Sequence, residues 1–430
     1  MSSTTLSPVQ PRELVHNVQP AISWKAPIAY AVIGVLCLVA FAFGSGAQDT
    51  TTFQLSTGRD TFKIAPIEMG SRSVAMTLSV MVLVLAGLAA YGAVKRIRFG
   101  AWLPTLVGLL SILAFLVWAA AGKDGSMPLP QLLGTGIILA VPLGFGAMSG
   151  LICERVGIIN IAIEGQLLAG AFAAAVSATL LGNPYVALVA APIAGALVAV
   201  LLAFFTIKYH VDQIVVGVVL NVLVVGVTSY LFSTVLKENK ATWNTPPTLP
   251  TIEIPLLSDI PVIGSVLFNQ NILVYLMFIF VIVLQFLLFR SRWGLRLRSV
   301  GEHPKAADTV GINVIRTRWI NTMVGGAVAG LGGASFTVAL GLGFGKEMTG
   351  GKGYIALAAM ILGRWNPNGA LAAALFFGFA EGLRGTLSVV GTPVPTQFLA
   401  MLPYLATIFA VAGLVGKVKA PAAEGVPYIK

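Results

Sequence analysis

Charged and amide side chains are scarce in this chain, and the few that interrupt its apolar runs are where chemistry would be done. Glu164 lies in Gly150-Leu-Ile-Cys-Glu-Arg-Val-Gly-Ile-Ile-Asn-Ile-Ala-Ile-Glu-Gly-Gln-Leu-Leu-Ala-Gly170, four residues after Asn160. Helical spacing predicts that the two share a face, with Gln166 off it, and sets Glu164 about two turns into an apolar helix. A carboxylate there is costly unless it meets protein or water. Glu164 therefore reads either as a solute-pathway residue or as a tie to backbone donors that holds a broken helix. Asn221, in Val219-Leu-Asn-Val-Leu, can bond a neighbouring helix or a solute equally well. Glu381 and Arg384, three apart, fit an internal salt bridge near the outer end of their helix.

Other kinds of chemistry find no residues to support them. Cys37 and Cys153 lack metal-site spacing and make no disulfide framework, and His16, His210 and His303 are far apart. No nucleophile or acid–base constellation stands out, so no catalytic residue, metal site or cofactor is expected. Gly341-Leu-Gly-Phe-Gly-Lys-Glu has the wrong spacing for a phosphate-cradling loop and lacks a hydroxyl after Lys346. The net charge of +11 comes from basic residues at the ends of apolar runs, which explains them as topology signals and leaves no case for nucleic acid.

The elements that must position these residues are set by composition. The 430 residues are 57% hydrophobic and 10% charged, against about 25% charged in an ordinary soluble domain. Runs near the length of about 20 apolar residues that a crossing needs recur from Pro27–Gly44 to Phe398–Gly416. Among them are Ile158–Leu181, Ile320–Gly341, a short Tyr354–Gly363 and Ala370–Val390. The expectation is an all-α polytopic transmembrane bundle of about 10–12 helices, some interrupted, with a cytoplasmic coupling helix. The first run exceeds a signal-peptide core and reads as an uncleaved helix. The chain divides into an amino-terminal tail at 1–25, a helical extension at 26–130, a core at 131–416 and a second tail at 417–430. With both tails cytoplasmic, the strongly basic loops fall inside, including Arg290–Arg318 with seven basic and two acidic residues. That count closes only if Tyr354–Gly363 crosses or nearly crosses.

Glycines spaced four apart, as at Gly146 and Gly150, Gly326 and Gly330, and Gly378 and Gly382, predict close helix crossings in lipid. A Gly-rich helix leading into an interrupted one occurs twice, at Pro142–Ala171 and Val324–Gly363. Transporters built from repeats place their solute path at such interruptions.

The inside loop holds the most specific signal, Gly301-Glu-His-Pro-Lys-Ala-Ala-Asp-Thr-Val-Gly-Ile312. Pro304 suits a first helical turn, Glu302 or His303 can sit at the amino end, Lys305–Val310 forms a short helix, and Gly311 stops it. Such a helix across one face is something a partner protein could grip. This run resembles the coupling segment of sugar, nucleoside and branched-chain amino-acid ABC permeases, with His303 in place of the usual Asn. Glu154-Arg-Val-Gly-Ile-Ile-Asn-Ile-Ala-Ile-Glu-Gly165 and Lys352-Gly-Tyr-Ile-Ala-Leu-Ala-Ala-Met-Ile-Leu-Gly-Arg-Trp-Asn-Pro367 look like the nucleoside branch of that family. The likeness covers roughly Leu132 to Gly416.

The resemblance implies a permease subunit in a prokaryotic inner membrane, importing nucleosides while a separate cytoplasmic subunit hydrolyses ATP. It implies that this ATP-binding subunit docks on Gly301, Glu302, His303, Pro304, Ala306, Ala307 and Gly311. It implies as further partners a second permease subunit, an extracytoplasmic solute-binding lipoprotein and membrane lipid. Asn160, Glu164, Asn221 and Glu381 are the candidate pathway residues. A simple sugar such as a pentose remains open as the solute, as does an ion-coupled transporter using Glu164 or Glu381 as a proton relay. A nucleoside base would stack on an aromatic ring, and Trp319, Trp365 and Phe344 are available in the sequence.

Overall fold

Backbone groups in lipid must be satisfied within their own segment, so long apolar runs fold as helices. A computed structural model of the chain describes residues 23–392 apart from 59, 61, 98, 101 and 124, scattered positions between 395 and 405, and residues 420–430. Among the described residues, ten helices are long and apolar enough to cross a membrane. They are α1 (Lys25–Ala42), α2 (Ser71–Lys95), α3 (Trp102–Ala119), α4 (Leu129–Glu154), α5 (Ile163–Leu181), α6 (Pro184–Lys208) and α7 (Gln213–Leu236). There follow α8 (Ile272–Arg290), two short helices α9 (Arg292–Glu302) and α10 (Pro304–Thr309), then α11 (Val314–Ala339), α12 (Lys352–Leu362) and α13 (Pro367–Val390). The protein is a polytopic helical bundle, and the expected last span, Phe398–Gly416, lies largely outside the described residues.

The described residues form two compact units, one within 23–51 and 68–122, the other within 52–67 and from 123 onward. In the first, α1 and α3 pack through Phe41, Phe115 and Trp118, Gly34 of α1 lies against Leu83 of α2, and the buried Thr51 Oγ1 donates to the Val117 carbonyl at 2.8 Å. In the second, α4 and α11 are the most enclosed helices, while α7 and α8 leave most of their surface outward. Strand content is slight. Thr251–Glu253 pairs antiparallel with Asn269–Asn271, Ile252 opposite Gln270, and Phe53 pairs parallel with Met127.

Most helices in the second unit begin on a capping residue visible in the sequence. Asp212, Asn271, Ser291, Asn313 and Asn366 each accept from backbone N–H groups in the first turns of α7, α8, α9, α11 and α13. Three helices differ. α4 starts after Pro128, α5 after Ala162 and α12 after Gly351, none with a capping side chain of its own.

The glycine pairs do what their spacing predicts. A Cβ on Gly330 would run into the Ala191 carbonyl, and one on Gly195 into the Gly326 carbonyl, so α6 and α11 touch backbone to backbone. Gly378 lies against Gly136 and Ala140 where α13 crosses α4, and Gly146 and Gly150 of α4 face Ala356 and Met360 of α12. Gly330→Ala should destabilise the protein by about 1–3 kcal/mol through overpacking. Gly226→Ala, with nothing within 4 Å, should be neutral or slightly stabilising. Thermal unfolding of the purified variants in detergent checks this, and equal midpoints would contradict the crossing.

Candidate functional site

The first turn of a helix leaves backbone N–H groups without partners, and inside a bundle they cannot turn to water. For α12 the missing acceptor is Glu164, the second residue of α5. Its Oε1 accepts from the Gly351 N–H at 2.8 Å and its Oε2 from the Gly353 N–H at 2.6 Å. Gly353 has to be glycine, because a Cβ there would strike the Glu164 backbone. For α5 the acceptor is Asn221 of α7, whose Oδ1 takes the Gly165 N–H at 2.8 Å. Its Nδ2 donates to the Ile161 carbonyl at 2.9 Å and to the Tyr354 hydroxyl at 3.1 Å. Each helix start is capped from another segment of the chain, and the two starts meet.

The 11 residues of α12 extend about 16 Å at 1.5 Å per residue, about half of a ~30 Å hydrocarbon core. Its far end reaches Trp365, whose Nε1 donates to Glu154 Oε2 at 2.6 Å, and the Trp365 carbonyl accepts from Arg155 Nη2 at 2.7 Å. Glu154 ends α4, so α12 runs from mid-depth to the end of the bundle that carries α9 and α10. The stretch from Leu340 to Leu362 has two parts, an irregular one and a helical one. A similar arrangement precedes α5, where residues 155–162 run back along α4 as far as Ser149 without a long helix. Gly157, at φ +85°, makes the turn that only glycine adopts at low cost.

Two expectations are corrected here. Asn160 and Glu164 do not share a helical face, because the helix begins at Ile163 and not at Ile158. Glu164 is therefore in the first turn, not about two turns in. Gln166, expected to lie off the face, exchanges two hydrogen bonds with Asn160, at 2.9 and 3.1 Å. Asn160 also donates to Ser149 Oγ at 3.1 Å, so this buried amide pair ties the irregular segment to α4. Apolar residues at 158, 159 and 161–163 hid the break. Asn160, Glu164 and Asn221 thus gather at one junction. Glu381 lies apart on α13, paired with Arg384 at 3.2 Å.

At the α9–α10 end, the Gly301–Ile312 segment has the predicted start, helix and stop. His303 Nδ1 accepts from the Ala306 N–H at 3.2 Å, so histidine supplies the cap. Gly311, at φ +85°, ends the helix, with the Ile312 N–H returning to the Ala307 carbonyl at 3.0 Å. Residues 420–430 lie against this segment. Ala423 N–H donates to the Gly301 carbonyl at 2.9 Å, and Gly425 N–H to the Gly157 carbonyl at 3.2 Å. Ala422 N–H reaches Glu302 Oε2 at 3.4 Å. Arg318, read from sequence as part of a basic loop, is buried, and it donates to the carbonyls of Val156 at 3.1 Å and Val426 at 2.9 Å. Of the aromatic rings considered for stacking, Trp365 and Phe344 are buried, Phe344 edge-on to Phe172 at 5.2 Å.

Glu164→Gln replaces one acceptor oxygen with a donor facing an N–H. It should lower stability by about 1–3 kcal/mol, the cost of a buried unsatisfied group. Thermal unfolding reads this, with the exposed Glu238→Gln unchanged. His303→Asn should keep the α10 cap, whereas His303→Leu should lose about 1 kcal/mol of local stability, read as faster amide exchange at Ala306. Burial pushes the Glu424 carboxyl above the usual carboxylate range, against a hydrogen bond with Glu154 that acts the other way. A raised acid binds its proton more tightly when folded, so docking of residues 420–430 is strongest below the ordinary carboxylate value and weakens as pH rises through the elevated one. Limited proteolysis should release that segment faster at higher pH, and Glu424→Gln should weaken the dependence, leaving the part that comes from the buried Glu154.

The sequence of the second unit matches known proteins over most of its length. Residues 132–412 match the family described as the branched-chain amino acid transport system / permease component. The guanosine ABC transporter permease protein NupQ of Bacillus subtilis is 40% identical over 306 residues, covering 68% of this chain and 95% of the relative. The nucleoside ABC transporter permease protein NupC of Lactococcus lactis is 39% identical, with the same shares covered. A protein of Haloferax volcanii named a putative glucose ABC transporter permease is 30% identical, covering 64% of this chain and 89% of the relative. With a multi-pass bundle, two interrupted helices and a capped surface helix in place, this chain belongs to the permease-component family of the branched-chain amino acid transport system.

Proposed function

We propose that this chain is the membrane-spanning permease subunit of an ATP-driven nucleoside importer. The observation that carries the reading is the match, at 40% and 39% identity over 95% of their length, to relatives named for guanosine and nucleoside transport. The chain is not itself the motor, since the phosphate-cradling loop that ATP hydrolysis needs is not among its motifs. The α9–α10 end faces the cytoplasm in this reading, with both termini, in a prokaryotic inner membrane. A cytoplasmic ATP-binding subunit grips Gly301–Gly311, a second permease subunit completes the channel, and a solute-binding lipoprotein delivers from outside.

The junction supports a role in transmission. A push on α10 reaches Gly301, and from there residues 420–430 and Arg318 connect to Gly157 and Val156 at the foot of the irregular segment that leads to Glu164. Asn160, Glu164 and Asn221 shape the path by holding its broken helices, and Glu381 lines it. A simple sugar is the second reading, carried by the 30% identical relative named for glucose.

In cells that contain the chain with its partner subunits, Ala306→Glu and Ala307→Glu should abolish uptake of labelled guanosine. Membrane insertion and ATP hydrolysis by the partner should persist. Excess unlabelled nucleosides should compete and free ribose should not. Normal uptake in both variants would contradict the docking site, and competition by ribose alone would favour the sugar.

A further inference from the structure

Three cavities lie side by side along one face of α4. The first, about 600 Å³, is at the end of the bundle opposite α10, and Gln131 and Thr135 share its wall with Asn269 and Gln270. The second, about 270 Å³, is bounded by the same Gln131 and Thr135, by Leu139, and by Glu381 and Thr386 of α13. The third, about 240 Å³, has Leu139 and Leu143 on one side, Glu381 and Arg384 on the other, and Gly350 and Lys352 at its floor. The shared walls make the three adjacent. Gln131, Thr135, Leu139 and Leu143 succeed one another at four-residue steps, so one slowly turning stripe of α4 follows the cavities from the bundle end to mid-depth. Gly350 and Lys352 flank Gly351, whose N–H is held by Glu164. The cavities end on the junction described above.

Charge along the stripe is graded. The described lining of the first cavity contains amides, hydroxyls and apolar groups and no charged side chain. The Glu381–Arg384 pair then enters, with exposures of 29% and 46%. Charged groups that open in an apolar span are held in water or against protein, because lipid penalises them. Two cavities beside Glu381 account for its exposure without lipid.

We infer that the solute descends this stripe, from Gln131 and Thr135 past Glu381 and Arg384 to the turn that Glu164 holds. The inference rests on the importer reading and adds where the solute goes and what class it must be. The amides and hydroxyls described around the upper cavity suit a neutral, hydrogen-bonding solute of nucleoside type. Among the described lining residues, a phosphorylated nucleoside would meet no cation to offset the loss of hydration. At the lower cavity, Glu381 accepts from solute hydroxyls while Arg384 and Lys352 donate.

Cysteine substitution along α4 tests this, with native Cys37 and Cys153 both buried. Gln131→Cys, Thr135→Cys and Leu139→Cys are placed beside Leu133→Cys, which is exposed on the same helix but lines none of the three cavities. Only variants that still take up guanosine in the full complex are compared, using a charged, membrane-impermeant thiol reagent. The three stripe positions should react about tenfold faster than Leu133→Cys, because the reactive thiolate forms in water and not in lipid. Guanosine should slow the reaction, and guanosine monophosphate should not. Equal rates at all four positions, or rates indifferent to guanosine in a complex that transports it, would overturn the route. Protection by the monophosphate would overturn the neutral-solute class. If the wild-type complex imports no nucleoside but a pentose protects the stripe, the nucleoside reading falls and the route stands.

Discussion

A helix that starts in the middle of a membrane protein begins with unpaired N–H donors and no water to satisfy them. Here the requirement is met by the Glu164 carboxylate, which takes two N–H groups at the start of α12, and by Asn221, which takes one at the start of α5. Helix starts carry about half a positive charge each, so two of them meeting at one depth need an anion or an acceptor between them. Glu164 provides it from within the chain. The carboxylate that looks most out of place in an apolar run is thereby the group that lets the run be interrupted at all. Much else follows from that interruption, including the floor of the cavities along α4 and the irregular path of residues 155–162.

The same segment is tied at its other end. Gly157 and Val156 accept bonds from Gly425 and Arg318, and residues 420–430 also bond Gly301 and Glu302. The surface helix α10 and the mid-depth junction are therefore connected by hydrogen bonds and short stretches of chain, with no long lever between them. A device that moves α10 has a direct route to the broken helices. Close glycine crossings among α5, α6 and α11, and between α4 and α13, give those movements a firm frame.

Much of this fold was legible in the sequence because lipid imposes simple rules on length and charge. The runs from Pro27 to Val390 correspond to helices, and the start, helix and stop at Gly301–Ile312 were readable from Pro304 and Gly311 alone. The break before α5 was not. Ile158, Ile159, Ile161 and Ala162 are as apolar as a helix, and hydropathy does not tell an enclosed irregular strand of chain from a helical one. The available signals were Gly157 and the cluster Asn160, Glu164 and Gln166, which predicted something costly but not its geometry. Glu164 finds its partners 187 and 189 positions away, beyond the reach of any local pattern. Arg318 shows the same limit, since a buried arginine on two carbonyls and a basic residue at a span end look alike in one dimension.

The junction between α5 and α12 depends on the Glu164 clamp. Its most direct test is hydrogen–deuterium exchange of the Gly351 and Gly353 amides in lipid nanodiscs, comparing the wild-type chain with Glu164→Gln. The clamp predicts strong protection of both amides in the wild type and marked loss in the variant, with α4 and α11 unchanged. Equal protection in the two proteins, or rapid exchange in the wild type, would contradict it.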